Sequence, residues 1–285
     1  MVALLRRMAS RFVCHASCVL TVALISAAPP AAAERAIVLA TTTSVDNSGL
    51  LDHLLPRLTA QTGLEVHAVV RGTGAALRLG ISGDADVVFV HDRTSEDAFV
   101  AAGHGAFRKD VMTSQFLVVG PRGDPANISG LTDAAAALRQ IAATNTLFVS
   151  RGDGSGTHNA ELRLWNAAGI DPRSQPGAWY RETGSGMGAT LNIASTLNAH
   201  VLTESGTWAK FGNRGDLAIL VDNALANPYG VILVNPERHP HILENSARKL
   251  IDWLTGPDAQ KAIDDFTIDG QHPFRSATAA KARAN

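Results

Sequence analysis

Apolar runs of strand length alternate with apolar stripes at helical spacing along most of the chain. Ala36 to Thr41 reads as a buried strand, and Leu50, Leu51, Leu54, Leu55 and Leu58 form a helical stripe that ends near Gly63. Glu65 to Val70 is strand-like, Ala75 to Ile81 helical, and Val87 to Val90 a strand again. This alternation predicts an α/β sandwich with a largely parallel sheet. Phe116 to Val119 is a further strand running into Gly120-Pro121, a breaker that predicts a crossing into a second lobe. Helical patterns at Ala134 to Ala143, His158 to Ala168 and Met187 to Leu197 belong to that lobe. The chain is expected to return at Val231 to Val234, and helices at Ile242 to Leu254 and Pro257 to Phe266 then finish the first lobe. The expected division is a first lobe of 34–118 and 231–275, a second of 119–230, and a loose small, polar and basic tail at 276–285. No repeat of solenoid period is present.

The segment 1–33 stands apart from this pattern. Arg6, Arg7 and Arg11 make a basic head, Phe12 to Ala28 is mostly apolar, and Ala31-Ala32-Ala33 supplies the small residues of a cleavage site. A cleavable secretory signal is expected, and with it a periplasmic location. The apolar run is short for a retained anchor and contains His15. Cys18 is a weak lipidation site, because His15 stands where an aliphatic residue is wanted and apolar residues continue beyond. Both cysteines, Cys14 and Cys18, lie in the signal, so residues 34–285 must fold without disulfides or thiolate metal sites. Those 252 residues suffice for two lobes with separate cores. Removing three of 25 basic residues leaves 22 against 26 acidic, a net charge of −4. That balance disfavours nucleic acid as a partner, and any anion must be captured by local donors working against the overall field.

Such donors are concentrated in Ser150-Arg151-Gly152-Asp153-Gly154-Ser155-Gly156-Thr157-His158. The apolar Leu147-Phe148-Val149 precedes this turn, and Leu162, Trp165 and Ala168 follow at helical spacing. Amide hydrogens of the first helical turn would point out of it toward a negative ligand. Ser155 and Thr157 add hydroxyls, and Arg151 a planar charged fork. Thr41-Thr42-Thr43-Ser44 after the first strand and Gly72-Thr73-Gly74 after the second repeat the design. In open α/β sheets ligands bind at this carboxyl edge of the strands. Each piece alone has a plainer reading: hydroxyls before helices cap them, glycines make turns, and Arg151 beside Asp153 is a surface pair. The coincidence of all three favours an oxyanion held from both lobes.

Leu39-Ala40-Thr41-Thr42-Thr43-Ser44, Gly72-Thr73-Gly74-Ala75-Ala76-Leu77, Gly83-Asp84-Ala85-Asp86-Val87, Val90-His91-Asp92, Arg108 to Met112 and Phe148 to Asp153 resemble the tungstate-binding proteins of ABC transporters. The similarity continues through Trp179 to Gly184, Gly186-Met187 and Leu191 to Ala194. The Arg151, Asp153, Ser155, Gly156, Thr157 pattern is also similar to phosphate-binding relatives. The resemblance implies a type II periplasmic binding protein fold: two lobes, each a mostly parallel sheet flanked by helices, with the ligand cleft between. It implies a monomeric solute-binding protein that carries tungstate or molybdate to an inner-membrane permease, with no cofactor. By position, Thr42, Thr43, Ser44 and Thr73 would donate from the first lobe, and Arg151, Ser155, Gly156 and Thr157 from the second. Thr113-Ser114-Gln115 and His200 to Ser205 depart from the family pattern, which leaves hinge and rim open. Gly120 and Asn227-Pro228-Tyr229-Gly230 are the hinge candidates.

Phosphate keeps a proton near neutral pH and profits from a carboxylate, whereas tungstate and molybdate only accept. A donors-only pocket therefore points to the metal oxyanions. Asp46 is the nearest acceptor to the first-lobe loop, and Asp153 is expected to neutralise and orient Arg151 rather than meet the ligand. Two rivals remain. A secreted hydrolase would use Ser155 and His158, but the flanking residues do not form a G-x-S-x-G elbow and no third group orients His158. A cation site would need His91, Asp92, His239, His241 and His272 to converge; His239 and His241 flank a proline in a loop and read as solvated.

Overall fold

The computed structural model describes residues 35–174 and 178–284, so the expected signal at 1–33 lies outside the described residues. The first half is built from β1 (Ile37–Thr42), α1 (Thr43–Asn47), α2 (Leu50–Thr62), β2 (Val66–Arg71), α3 (Thr73–Ser82), β3 (Val87–Val90), α4 (Arg93–Ala101) and the start of β4 (Gly105–Pro121). The second half holds the rest of β4, then α5 (Ala134–Ala143), β5 (Phe148–Ser150), α6 (Gly156–Ala167), β6 (Tyr180–Glu182), α7 (Met187–Leu197), β7 (Val201–Glu204) and α8 (Ser205–Lys210). β8 (Leu217–Val234) returns the chain to α9 (Glu244–Thr255), α10 (Pro257–Asp265), β9 (Arg275–Ser276) and α11 (Ala277–Ala284). Among the described residues no helix is long and apolar enough to cross a membrane.

The main sheet has the strand order β2-β1-β3-β8-β4-β7, with β9 added on β4, and β5-β6 forms a second, two-stranded sheet. Among the described strands β1 pairs parallel with β2 and β3, and β5 with β6, and an isolated parallel bridge joins Phe148 to His200. β8 pairs antiparallel with β3 and β4, and β4 antiparallel with β7 and β9. The sheet is therefore mixed, not largely parallel. The physical reason lies in β4 and β8, the strands that carry the chain out of the first half and back. They run in opposite directions, so their pairing over nearly their whole length is antiparallel.

Among the described residues three apolar clusters make up the core. One fills the first half, around Leu54, Phe89, Tyr229 and Ile251. Two lie in the second half, one around Phe116, Phe148 and Trp165 and the other around Leu117, Val149, Leu191 and Trp208. Phe116 and Val118 enter the first of these, Leu117 and Val119 the second. The continuous apolar run thus covers both faces of a central strand, as the period of two requires.

Between Met112 in one core and Phe116 in the next, β4 places Thr113, Ser114 and Gln115 opposite Pro228, Asn227 and Ala226 of β8. The breaker Gly120-Pro121 stands further along, at the end of β4. Gly120 lies inside β4, and a Cβ there would stand 2.5 Å from His200 Cδ2, so its lack of a side chain serves packing. The tail also differs from expectation: Ala277–Ala284 is helical, not loose. Ser276 ties its start down through 2.8 Å and 2.7 Å bonds to the Asp264 carboxylate.

Candidate functional site

The three hydroxyl-rich loops stand at the carboxyl ends of β1, β2 and β5, ahead of α1, α3 and α6. In the first loop Thr42 and Ser44 are buried and Thr43 half-buried. Thr42 Oγ1 lies 3.0 Å from Ser44 Oγ, which lies 2.8 Å from His91 Nε2 at the end of β3. Asp46 is exposed. In the second loop Thr73 is fully buried, and its hydroxyl has no hydrogen-bond partner among the described residues.

The third loop turns through Gly152 (φ 61°) and Gly154 (φ 66°), a region that residues with a Cβ avoid. Ser155 caps α6 by accepting from the backbone N–H of His158 at 3.3 Å. Arg151 is only 2% exposed. Its Nη2 donates to Asp153 Oδ2 at 2.6 Å and its Nη1 to Thr157 Oγ1 at 3.4 Å, whereas Nε has no partner among the described residues. Burial opposes ionisation of Asp153, but the guanidinium and the N–H and hydroxyl of Ser155 outweigh it and hold the carboxyl below its usual range.

The two halves meet at a residue that the motif reading missed. Glu204, buried at the end of β7, accepts the hydroxyl hydrogen of Thr157 on Oε1 and that of Thr207 on Oε2 at 3.3 Å. Its Oε1 is 3.8 Å from Arg151 Nη1 and 3.9 Å from His91 Nε2. The donors-only lining is therefore not what forms: a carboxylate joins the hydroxyls of the second half to the imidazole of the first. One signal could have found it, since Glu204 also ends an apolar strand and is followed by Ser205-Gly206-Thr207, the same design seen three times before. His91, read from the sequence as part of a family motif and as a possible cation ligand, is buried and held between Ser44 and Asn227 Oδ1, 3.0 Å from Nδ1.

The halves approach closely here. A Cβ on Gly156 would lie 2.8 Å from Thr73 Oγ1 and 2.9 Å from the His91 carbonyl oxygen, so only glycine lets the start of α6 sit against the first half. Asp92, at the start of α4, reaches across to Arg163 Nη1 at 2.9 Å and Asn159 Nδ2 at 2.8 Å on α6. Arg151 is thus bracketed by Asp153 and Glu204. An anion held here must be stabilised by directed hydrogens rather than by net charge.

Ser155 and His158 do not form a nucleophile and base. The Ser155 hydroxyl oxygen accepts a backbone hydrogen, while His158 Nδ1 takes the Gly154 N–H at 3.0 Å and Nε2 faces Arg173 at 3.5 Å. Burial, then the Arg173 charge, lowers the pKa of His158. Among the described residues no three His, Cys, Asp or Glu side chains converge on a metal position. His239 and His241 instead bond the carbonyls of Ile81 and Gly83.

Two lobes joined by paired strands, with helix starts and hydroxyls facing one another across the join, define an extracytoplasmic-type solute-binding fold. The PBP superfamily domain matches residues 27–258. The chain belongs to that superfamily and, within it, to the family of the tungstate-binding proteins TupA. It is 42% identical over 238 residues to "Tungstate-binding protein TupA" of Peptoclostridium acidaminophilum, covering 82% of each chain. Among solved structures, it is similar to the tungstate ABC transporter protein of Geobacter sulfurreducens, at 48% identity and a TM-score of 0.75, with 82% of this chain and 99% of that one covered. The TupA structure of Desulfovibrio alaskensis G20 matches at 42% identity and a TM-score of 0.73, covering 85% and 98%.

Proposed function

We propose that this protein is the solute-binding component of an ABC importer, and that its lobes close on one tetrahedral oxyanion, tungstate. The observation that carries this reading is a pair of buried donors that, with a few others elsewhere, have no partner among the described residues: Thr73 Oγ1 from one half and Arg151 Nε from the other. Buried polar atoms are rarely left unpaired, and two hydrogens on opposite sides of one join suit a ligand that only accepts. Thr42, Thr43, Ser44, Ser155, Gly156 and Thr157 complete the rim. The names of the relatives support tungstate in particular. The protein binds and does not turn over its ligand. It acts as a monomer in the periplasm, reaches it by cleavage of the 1–33 signal, and hands the anion to a membrane permease. The lobes hinge where β4 and β8 cross between cores, at 113–115 and 226–228.

One observation favours a second reading. Glu204 is a carboxylate at the site, and hydrogen phosphate could donate to it. Both Glu204 oxygens already accept hydroxyl hydrogens, however, which leaves the carboxylate directed at the protein. Calorimetric titration with tungstate, molybdate, sulfate and phosphate separates the readings. Tungstate is expected to bind one to one and more tightly than phosphate. Tighter phosphate binding, or no heat with any of the four, overturns the assignment.

A further inference from the structure

The hydrogen bonds around His91 fix which of its nitrogens carries a hydrogen. Asn227 turns its Nδ2 to the hydroxyls of Ser114 at 3.0 Å and Tyr229 at 3.3 Å, which leaves its Oδ1 facing His91 Nδ1 at 3.0 Å. Nδ1 is therefore the donor. Burial lowers the pKa of His91 and keeps the ring neutral, so Nε2 presents a bare lone pair. Ser44 Oγ, 2.8 Å away, must donate to it, and Thr42 Oγ1 donates in turn to Ser44 at 3.0 Å. The only hydroxyl hydrogens of Thr42 and Ser44 are thus spent inside the protein. A fully deprotonated oxyanion has nothing but lone pairs, and this chain of bonds runs the wrong way to serve it.

We propose that oxyanion capture is coupled to uptake of one proton at His91 Nε2, which reverses the Thr42, Ser44, His91 chain and turns a hydroxyl hydrogen toward the anion. The proton comes from solvent; Nε2–H then donates to Ser44 Oγ, and one hydroxyl hydrogen of the pair is released. His91 is a positioning residue, acting through the two hydroxyls. The inference rests on the oxyanion reading of the site.

The charged and titratable groups around the ring decide the sign. Glu204 on β7 stands 3.9 Å from Nε2 and, with Asp92 next in the chain, favours the imidazolium. Arg151 from the β5–α6 loop opposes it, and the Tyr229 ring on β8 stacks on the imidazole at 4.8 Å. An added dianion shifts the balance toward the imidazolium. The pKa of His91, depressed without anion, rises with it, and between the two values binding draws in a proton. Affinity therefore climbs as pH falls, by up to about tenfold per pH unit for one proton.

The test is titration of the whole protein with sodium tungstate near neutral pH, in buffers of low and high ionisation enthalpy. The slope of observed enthalpy against buffer enthalpy is expected to approach uptake of one proton in the wild type and to fall to near zero in His91→Gln. Nitrogen NMR of the wild type reads the same event without a variant: Nε2 should move from the unprotonated to the protonated range on adding tungstate. A buffer-independent enthalpy, uptake undiminished in His91→Gln, or an Nε2 that stays unprotonated overturns the proposal. Those failures differ from failure of the oxyanion reading, in which tungstate gives no binding in any buffer.

Discussion

At the level of single residues, the donors that matter are those whose hydrogens the protein has not consumed. Arg151 is pinned by Asp153 on one side and by Thr157, with Glu204 behind it, on the other, which fixes its plane while leaving Nε without a partner among the described residues. Hydrogen bonds to charged groups contribute roughly 1.5–3 kcal/mol, so losing one weakens binding by about tenfold or more. Arg151→Ala should show at least that loss by calorimetry while keeping the native circular dichroism spectrum. Thr73→Val, nearly equal in shape, should weaken tungstate binding by about tenfold yet leave thermal stability unchanged or higher, because it removes a buried unpaired hydroxyl. Unchanged affinity in either variant removes that side chain from the site. Arg151, Ser155 and Thr157, which the proposal places at the site, stand out in the sequence because they crowd one short glycine-rich turn. Glu204 and His91 do not, since Glu204 meets Thr157, and His91 meets Ser44, across 47 positions of sequence in each case. A separation of that kind leaves no local pattern to read.

At the level of elements, the recurring unit is a strand that ends in small or hydroxylated residues and feeds a helix. Most of these units were legible: α5 and α7 begin and end where the apolar spacing places them, and Gly63 closes α2 in a left-handed conformation. The full length of β4 and β8 was hidden, because Thr113-Ser114-Gln115 interrupts the apolar run where the strand passes between two cores and has no core to face. The start of α6 carries a testable constraint. In Gly156→Ala the new methyl would press on the His91 carbonyl at 2.9 Å, a backbone contact that only separation of the halves relieves. Each half should still fold, so melting without ligand stays close to wild type. The stabilisation that tungstate gives the wild type should be largely lost in thermal denaturation scans. A full wild-type shift in this variant would mean that the close approach of α6 is unimportant for capture.

At the level of the whole molecule, separate cores in the two halves leave the join between them to polar contacts, so closure depends on what those contacts hold. The length of 34–285 left room for more than one core, but the mixed sheet was not legible, because the direction in which two long strands pair is a property of topology rather than of spacing. The second half also buries a carboxylate away from the join. Burial pushes Glu161 up to about 7, against hydrogen bonds from Ser150, Tyr180 and Trp165. A raised value means that the folded state holds this proton more firmly than the unfolded chain does. The associated stability is complete below about pH 4.5 and is lost as pH rises through about 7, a change on the order of 3 kcal/mol. Glu161→Gln keeps an oxygen acceptor without the charge. Urea denaturation should therefore show the variant gaining on the wild type as pH rises across that window, and a constant difference would contradict the assignment.

The most direct measurement is anomalous diffraction at the tungsten edge from crystals grown with tungstate. The account predicts a single strong peak enclosed by the first-half residues Thr43 and Thr73 and the second-half residues Arg151 and Gly156. A peak bound to one lobe alone, or no peak at the join, would contradict it.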